Sequence, residues 1–290
     1  MSWKSNVCYN QPMKPKLLFL TNIHNGAPDE DQMLTGFLRA DFDLIVSHPL
    51  DCLNVLCSVD GVVIRNIWPT HEYKNSWDEI KLHLRNSILP IYNPLILKGD
   101  VEGKDYLIIL YKLGYPVIPS VDQIKDLHLI PDSEFYWIKP KHSCDGIGAE
   151  RLTKASLIQR NPLGYIIQPF FEFQYEPSFF FIDNRFQNAI WSKHRLLSDD
   201  VAPYNLKPDD LAFAEQFVHW ADAPYGIQRI DAIRTLDGKL LLTEIENLSP
   251  YLYLSELGKD IGTKFMNAFR ISLLGVFSTE ISGKAIHPPL

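Results

Sequence analysis

The sequence predicts an α/β protein in which a parallel sheet carrying helices is followed by a larger part rich in antiparallel strands. Three observations carry this. Short apolar runs alternate with helix-spaced apolar positions up to about residue 95; from Glu134 onward the apolar runs follow one another closely; and two of the later runs are joined by Asp237-Gly238. Alternating strands and helices build parallel sheets, whereas closely spaced strands and Asp-Gly turns build antiparallel ones.

Taken in order, KLLFLT (16–21) reads as a buried strand, and Met33, Leu34, Phe37 and Leu38 recur at helical spacing after it. DLIV (43–46) and DGVVIR (60–65) read as two more strands, followed by a helix around Trp77 to Leu84 and then LPIYNP. Pro90, Pro94, Gly99 and Gly103 punctuate the next stretch and place a boundary near residue 95, giving an N-terminal domain over 1–95 and a second over 96–290. A helix over 104–113 is stopped by Gly114 and Pro116. The strand candidates EFYWIKP, GYIIQPF, PSFFFI and FQNAIW follow, then YGIQRIDAIR and GKLLLTEIE around the Asp237-Gly238 turn. Apolar positions at helical spacing over 260–277 predict a closing helix.

With 290 residues, 46% of them hydrophobic, the chain can bury a core large enough for two or three subdomains around one site. A formal net charge of -7 opposes general attraction to nucleic acid or anionic lipid, so neither is expected as a partner. The opening MSWKSNVCYNQPMKPK lacks an apolar signal core, and no run approaches the ~20 apolar residues that span a bilayer. Cys8, Cys52, Cys57 and Cys144 have neither CxxC spacing nor accompanying histidine ligands, so a reduced, cytoplasmic setting is expected rather than a disulfide framework or zinc site.

The most informative constellation is RIDAIRTLDGKLLLTEIEN (229–247). Side chains alternate along a strand, so Arg229 and Asp231 share one face and Glu244 and Glu246 share one face of the partner strand. If the turn sets the register, three carboxylates and one guanidinium converge. Three carboxylates repel one another unless a cation neutralises them, and oxygen-only ligands suit Mg²⁺. The alternative is an ordinary hairpin with solvent-facing charges.

These residues match a family. R-x-D, a glutamate thirteen residues after the aspartate, a second ligand two residues on and a proline shortly after resemble the metal strands of ATP-grasp ligases. Members with this pattern include D-alanine–D-alanine ligase, glutathione synthetase and RimK-like ligases, and the closing E-x-E-N-L-S-P-Y-L-Y-L resembles the cycloserine-biosynthesis type. The resemblance implies an ATP-grasp fold with an N-terminal pre-ATP-grasp domain and a small lid subdomain over about 115–172. It implies that Asp231, Glu244 and Glu246 hold Mg²⁺, with Glu244 bridging two ions and Mn²⁺ able to substitute, and that Arg229 stabilises the transferring phosphoryl group. The third ligand is often Asn in the family and is Glu246 here.

The same resemblance extends over residues 60–257. Lys139 ends an apolar strand before a loop holding Gly146 and Gly148, matching the family's lysine and glycine loop over the phosphates. Gln168 stands where a residue reads the adenine amino group, Phe170 and Phe171 where backbone groups face the adenine edge, and Glu176 where a carboxylate binds ribose. Lys104 matches the first nucleotide lysine and Lys193 a phosphate-contacting lysine; for both, a plain surface lysine is the competing reading. The N-terminal APDEDQMLTGFL and IR-x-x-W resemble the cycloserine subgroup, and Arg65 there either meets a substrate carboxylate or makes a structural salt bridge. His142, Cys144 and His194 receive no role. The implied activity is an ATP- and Mg²⁺-dependent ligase that activates a small-molecule or peptide carboxylate as an acyl phosphate and joins it to an amine. Its rivals are a kinase acting on a hydroxyl and a non-catalytic nucleotide-binding module. An oligomer is compatible with either.

Overall fold

A computed structural model describes residues 14–26, 28–143, 146–193 and 200–281; Cys8, Cys144 and His194 lie outside the described residues. The first sheet is wholly parallel, in the order β2-β1-β3-β4, from β1 (Lys16–Leu20), β2 (Asp43–Ser47), β3 (Gly61–Ile64) and β4 (Ile91–Tyr92). The apolar runs read from sequence are these strands: Leu17 through Leu20 and Val62 through Ile64 are fully buried, as a sheet covered on both faces requires. Helices α1 (Asp29–Leu38) and α2 (Lys74–Asn86) supply the crossovers, burying Leu34 and Leu38, and Trp77, Ile80 and Leu84. Met33, although in phase with Leu34, is exposed.

After α3 (Tyr106–Lys112) the chain forms two antiparallel sheets. The three-stranded one has the order β6-β5-β7, from β5 (Phe135–Pro140), β6 (Glu150–Thr153) and β7 (Tyr165–Pro169). The five-stranded one has the order β10-β9-β8-β11-β12, from β8 (Phe173–Ile182), β9 (Arg185–Ser192), β10 (Ala202–Pro203), β11 (Ile227–Thr235) and β12 (Leu240–Glu246). Three helices accompany these sheets: α4 (Lys154–Arg160), α5 (Asp210–Ala221) and α6 (Lys259–Ile281).

The alternation of β8 splits its phenylalanines. Phe179 and Phe181 pack with α3 and α5 in one core, whereas Phe180 turns to the other face and joins Phe19, Phe265 and Phe269. That second core runs from the parallel sheet to α6, whose Phe277 lies so close to Gly61 that a Cβ there would sit 2.1 Å from its ring. Among the described residues no helix is long and apolar enough to cross a membrane. Cys52 and Cys57 are free; burial pushes the Cys52 thiol up to about 11.

Candidate functional site

The β11–β12 register places Arg229 opposite Glu246 and Asp231 opposite Glu244, as the Asp237-Gly238 turn predicts. Phe180 and Ser178 of β8 stand opposite Arg229 and Asp231 on the other side. The charged residues therefore lie on the last two strands of a five-stranded sheet, backed by β8, not on an isolated exposed hairpin. Arg229 donates through Nε to Asp231 Oδ1 at 2.9 Å, through Nη2 to Asp231 Oδ2 at 2.9 Å and to Glu246, and through Nη1 to the Tyr251 carbonyl at 2.9 Å. The Ser178 hydroxyl donates to Asp231 Oδ1 at 2.6 Å. Lys104, 6% exposed, reaches from the turn before α3 to bond Glu244, so it is not a surface lysine.

The cations thus sit between the carboxylates. Asp231, Glu244 and Glu246 are not drawn together as a ligand set, whereas His24, His48 and Asp51 bring one ligand atom each within 4.8 Å of one another among the described residues. His24 and His48 stack with centroids 3.8 Å apart and planes 10° off parallel, and the Leu50 N–H donates to His48 Nδ1. His24 Nε2 bonds Asp51 at 2.8 Å and His48 Nδ1 accepts the Leu50 N–H, so stacking and hydrogen bonding account for this trio.

Burial shapes the electrostatics at the sheet end. Burial raises Glu246 well above the usual carboxylate range, with Asp231 and Glu244 adding to the effect and Arg229 opposing it. Glu244 behaves oppositely: burial works against its charge, but Lys104, with Lys139 and Arg229, outweighs burial and lowers its pKa. Asp100, which accepts the backbone N–H groups of Asn247 and Leu248 at 2.9 Å, is pushed up to about 6 by burial. Four acids (Asp100, Asp231, Glu244, Glu246) face three cations (Lys104, Lys139, Arg229). This all-oxygen, acid-rich donor set fits a hard divalent cation.

The nucleotide candidates are divided between the three-stranded sheet, which carries Lys139 and Gln168, and strands β8 and β9 of the five-stranded sheet, which carry Glu176 and lead to Lys193. Lys139, at the end of β5, acts electrostatically on Glu244, so the expected phosphate lysine and metal strand face each other. Gly146 and Gly148 follow at φ 69° and 73°, and a Cβ at Gly148 would lie 2.9 Å from Pro140. The left-handed backbone and the close approach each favour glycine there. Gln168 is buried on β7 opposite Trp137 and donates to the Ser120 hydroxyl at 2.9 Å. The Phe170 N–H is taken by the Phe135 carbonyl at 2.9 Å, and its ring lies against the Arg151 guanidinium. Phe171 follows, half-buried, at the junction into β8. Glu176 pairs in register with Ser192, next to the exposed Lys193 at the end of β9, so these two are neighbours.

Arg65 lies elsewhere. It is fully buried and donates to Glu30 Oε1 at 2.6 Å and to the Pro250 carbonyl at 2.8 Å, with Asp31 at 3.4 Å. Of its two readings, the structural salt bridge is the one the geometry contains. Sequence reasoning missed Asp100, Ser178 and Tyr106, whose hydroxyl accepts the Ile245 N–H at 2.7 Å. Ser178 could have been found from the alternation of β8, but only once β8 was known to pair with β11.

No protein-family model matches the chain, and no curated protein matches it by sequence. Solved structures do match by shape. D-cycloserine synthetase DcsG superposes with a TM-score of 0.73 at 22% identity, covering 89% of this chain and 99% of that one. A RiPP-associated ATP-grasp ligase from Chryseobacterium gregarium, solved with ADP and leader and core peptides, gives 0.64 at 13% identity over 92% and 97% of the two chains. Macrocyclase MdnC from Microcystis aeruginosa, bound to its precursor peptide MdnA, gives 0.64 at 13% identity over 89% and 99%. The chain has the fold of the ATP-grasp ligases.

Proposed function

We propose that the chain is an ATP- and Mg²⁺-dependent ligase that transfers the γ-phosphoryl group of ATP to a carboxylate and joins the resulting acyl phosphate to an amine, releasing ADP and phosphate. The observation that carries this reading is the meeting, on a fold shared with ATP-grasp ligases, of Arg229, Asp231, Glu244 and Glu246 with two lysines from outside the strand pair, Lys104 and Lys139. A hairpin that merely faced solvent would have no reason to bury these charges or to draw a lysine from 140 residues away.

In this reading Asp231, Glu244 and Glu246 hold Mg²⁺, as one ion or two, with Mn²⁺ as a substitute; the neighbour PsnB is solved with Mg and ADP. The metal neutralises charge spread over the phosphoryl oxygens. Arg229 offsets the same charge. Lys104, Lys139 and Lys193, with the loop at Gly146 and Gly148, hold the phosphates. Gln168 and the backbone at Phe170 and Phe171 meet the adenine, and Glu176 the ribose. An acyl phosphate is water-sensitive, so the part of the chain around residues 115–172 serves as a lid that closes over it. The substrates are a small-molecule or peptide carboxylate and an amine.

A screen for carboxylate- and amine-dependent ADP release, with mass detection of product, tests the proposal. Hydroxylamine should intercept the acyl phosphate as a hydroxamate alongside ADP. A stable phosphorylated alcohol without hydroxamate would move the assignment to a kinase, and release of AMP would indicate adenylate chemistry.

A further inference from the structure

A cavity of about 240 Å³ opens beside the carboxylate cluster. Its walls are α2, the turn over 100–104, the segment 141–143 after β5, and Leu248 just beyond β12. Lys104 and Asp100 line it while also reaching the strand end: Lys104 bonds Glu244, and Asp100 accepts the Asn247 and Leu248 amides. The cavity is therefore continuous with the groups assigned to phosphoryl transfer. It lies below the ~300–1,000 Å³ of pockets for drug-sized ligands, and so suits a molecule of amino-acid size.

Two imidazoles line this wall, His71 and His142, with base chemistry that the carboxylates and lysines lack; His142 is the one set against the turn at Gly103, next to Lys104. His142 is exposed, lines the cavity and has its ring close against Gly103. A Cβ at Gly103 would lie 2.7 Å from His142 Nδ1, and the Lys104 N–H bonds the Lys141 carbonyl at 2.9 Å. Glycine at 103, whose φ is 99°, thus permits the approach that fixes His142 beside Lys104. The charged groups facing the ring are Lys74, Asp78 and Lys81 from α2 and Asp105 from the start of α3. Partial burial, with Lys74 and Lys81, holds its pKa below the ordinary imidazole value against the pull of Asp105 and Asp78. At neutral pH the ring is an unprotonated acceptor.

We propose that this cavity receives the acceptor amine, of amino-acid size, and that His142 is the general base for its attack. The step rests on the ligase reading above. The amine arrives as an ammonium: the His142 imidazole takes one proton, the freed nitrogen forms a bond to the acyl carbon, the carbon–oxygen bond to phosphate breaks with the electron pair leaving on phosphate, and the second proton shed by nitrogen leaves with the phosphate. His142 returns it to solvent before the next turnover.

The test separates amine attack from carboxylate activation. The wild-type protein is offered ATP, Mg²⁺ and the protein amino acids in both enantiomers, singly and in pairs, and coupled product and ADP are followed by mass. The carboxylate found is then given hydroxylamine, which is already unprotonated at neutral pH. His142→Asn is expected to lower the coupled product by about 100-fold or more, in the range of a lost general base. Its hydroxamate should fall far less. Coupling at the wild-type rate would overturn the proposal, as would an equal loss of both products, which would place His142 in activation instead. A thermal melt of the variant, with His142→Gln as a second substitution, excludes unfolding as the cause. If wild-type protein yields no ADP with any carboxylate, or yields a phosphorylated alcohol, the ligase reading itself fails and the assignment of His142 falls with it.

Discussion

Two buried arginines sit among carboxylates in this molecule, and they differ in how fully those carboxylates are closed to solvent. Arg65 and Glu30 are sealed: both side chains are 1% exposed, and Glu30 accepts from Arg65, from the Asn66 amide at 2.8 Å, and from the Leu252 and Tyr253 N–H groups at 2.8 and 3.0 Å. Four donors surround one carboxylate, tying the end of β3 and the start of α1 to the 250–253 segment. Around Arg229 the acids also outnumber the cations, as Glu30 and Asp31 do around Arg65, but here the Glu246 and Glu244 side chains stay 20% and 27% exposed. A cluster that is closed to solvent holds a fold together. One that is open at one side and rich in uncompensated acid has a use for a further cation.

The largest effect that would sharpen this contrast is on turnover. Arg229→Ala should lower kcat by roughly 10³–10⁵, the range for a cation stabilising a transferring phosphoryl group. Glu244→Gln should abolish turnover while leaving most of the fold. Wild-type activity in Glu244→Gln at saturating Mg²⁺ would remove the metal assignment. Arg65→Ala should do the reverse: removing one partner of a buried ion pair costs about 3–5 kcal/mol, read from denaturant unfolding. Comparable unfolding losses in Arg229→Ala and Arg65→Ala would erase the distinction. A smaller effect is expected at Lys139→Ala, about 10-fold in nucleotide affinity by calorimetry, or about 1.4 kcal/mol. Unchanged ATP affinity would remove Lys139 from the site.

The contrast also marks what the sequence could and could not carry. Strands β1 and β3 were legible because doubly covered strands read as continuous apolar runs, and the β11–β12 pair because Asp237-Gly238 marks its turn, with a bulge between Asp231 and Ala232 completing the register of the charged pairs. Strand β6 and helix α4 were not read: β6 is almost wholly exposed and α4 buries only Leu157, so neither leaves an apolar pattern. Helix α5 was missed although Ala214, Phe217, Val218 and Ala221 recur at helical spacing, because aromatic residues on its other positions, Phe213 and Trp220, blur the stripe. At the site, the alternation of Arg229, Asp231, Glu244 and Glu246 was local and therefore readable. The bond from Lys104 to Glu244 and the capture of Arg65 by Glu30 and Pro250 join segments far apart in the chain, and alternation along one strand says nothing of them. The two possible fates of Arg65 looked alike in sequence because a guanidinium suits a substrate carboxylate and a buried glutamate equally well.

The finest test uses one substitution in both clusters. Asp31 and Asp231 each stand beside an arginine that a glutamate also neutralises, and each accepts a hydroxyl, from Thr21 at 2.5 Å and from Ser178 at 2.6 Å. Asparagine has nearly the same shape, so Asp→Asn removes a charge without opening a cavity. In Asp31→Asn, Glu30 still neutralises Arg65, and the new amide can turn its oxygen toward Arg65 and its NH₂ toward the Thr21 hydroxyl, so stability should stay within about 1 kcal/mol of wild type with activity retained. Asp231→Asn should be equally mild in a thermal melt, because Glu246 still pairs with Arg229 and has lost a repelling neighbour. Yet it should be severe in turnover, since a neutral amide oxygen replaces an anionic ligand. Two substitutions with matched melts and divergent activity would locate function in the charge of the open cluster. Matched activity would show that both arginines serve only the fold.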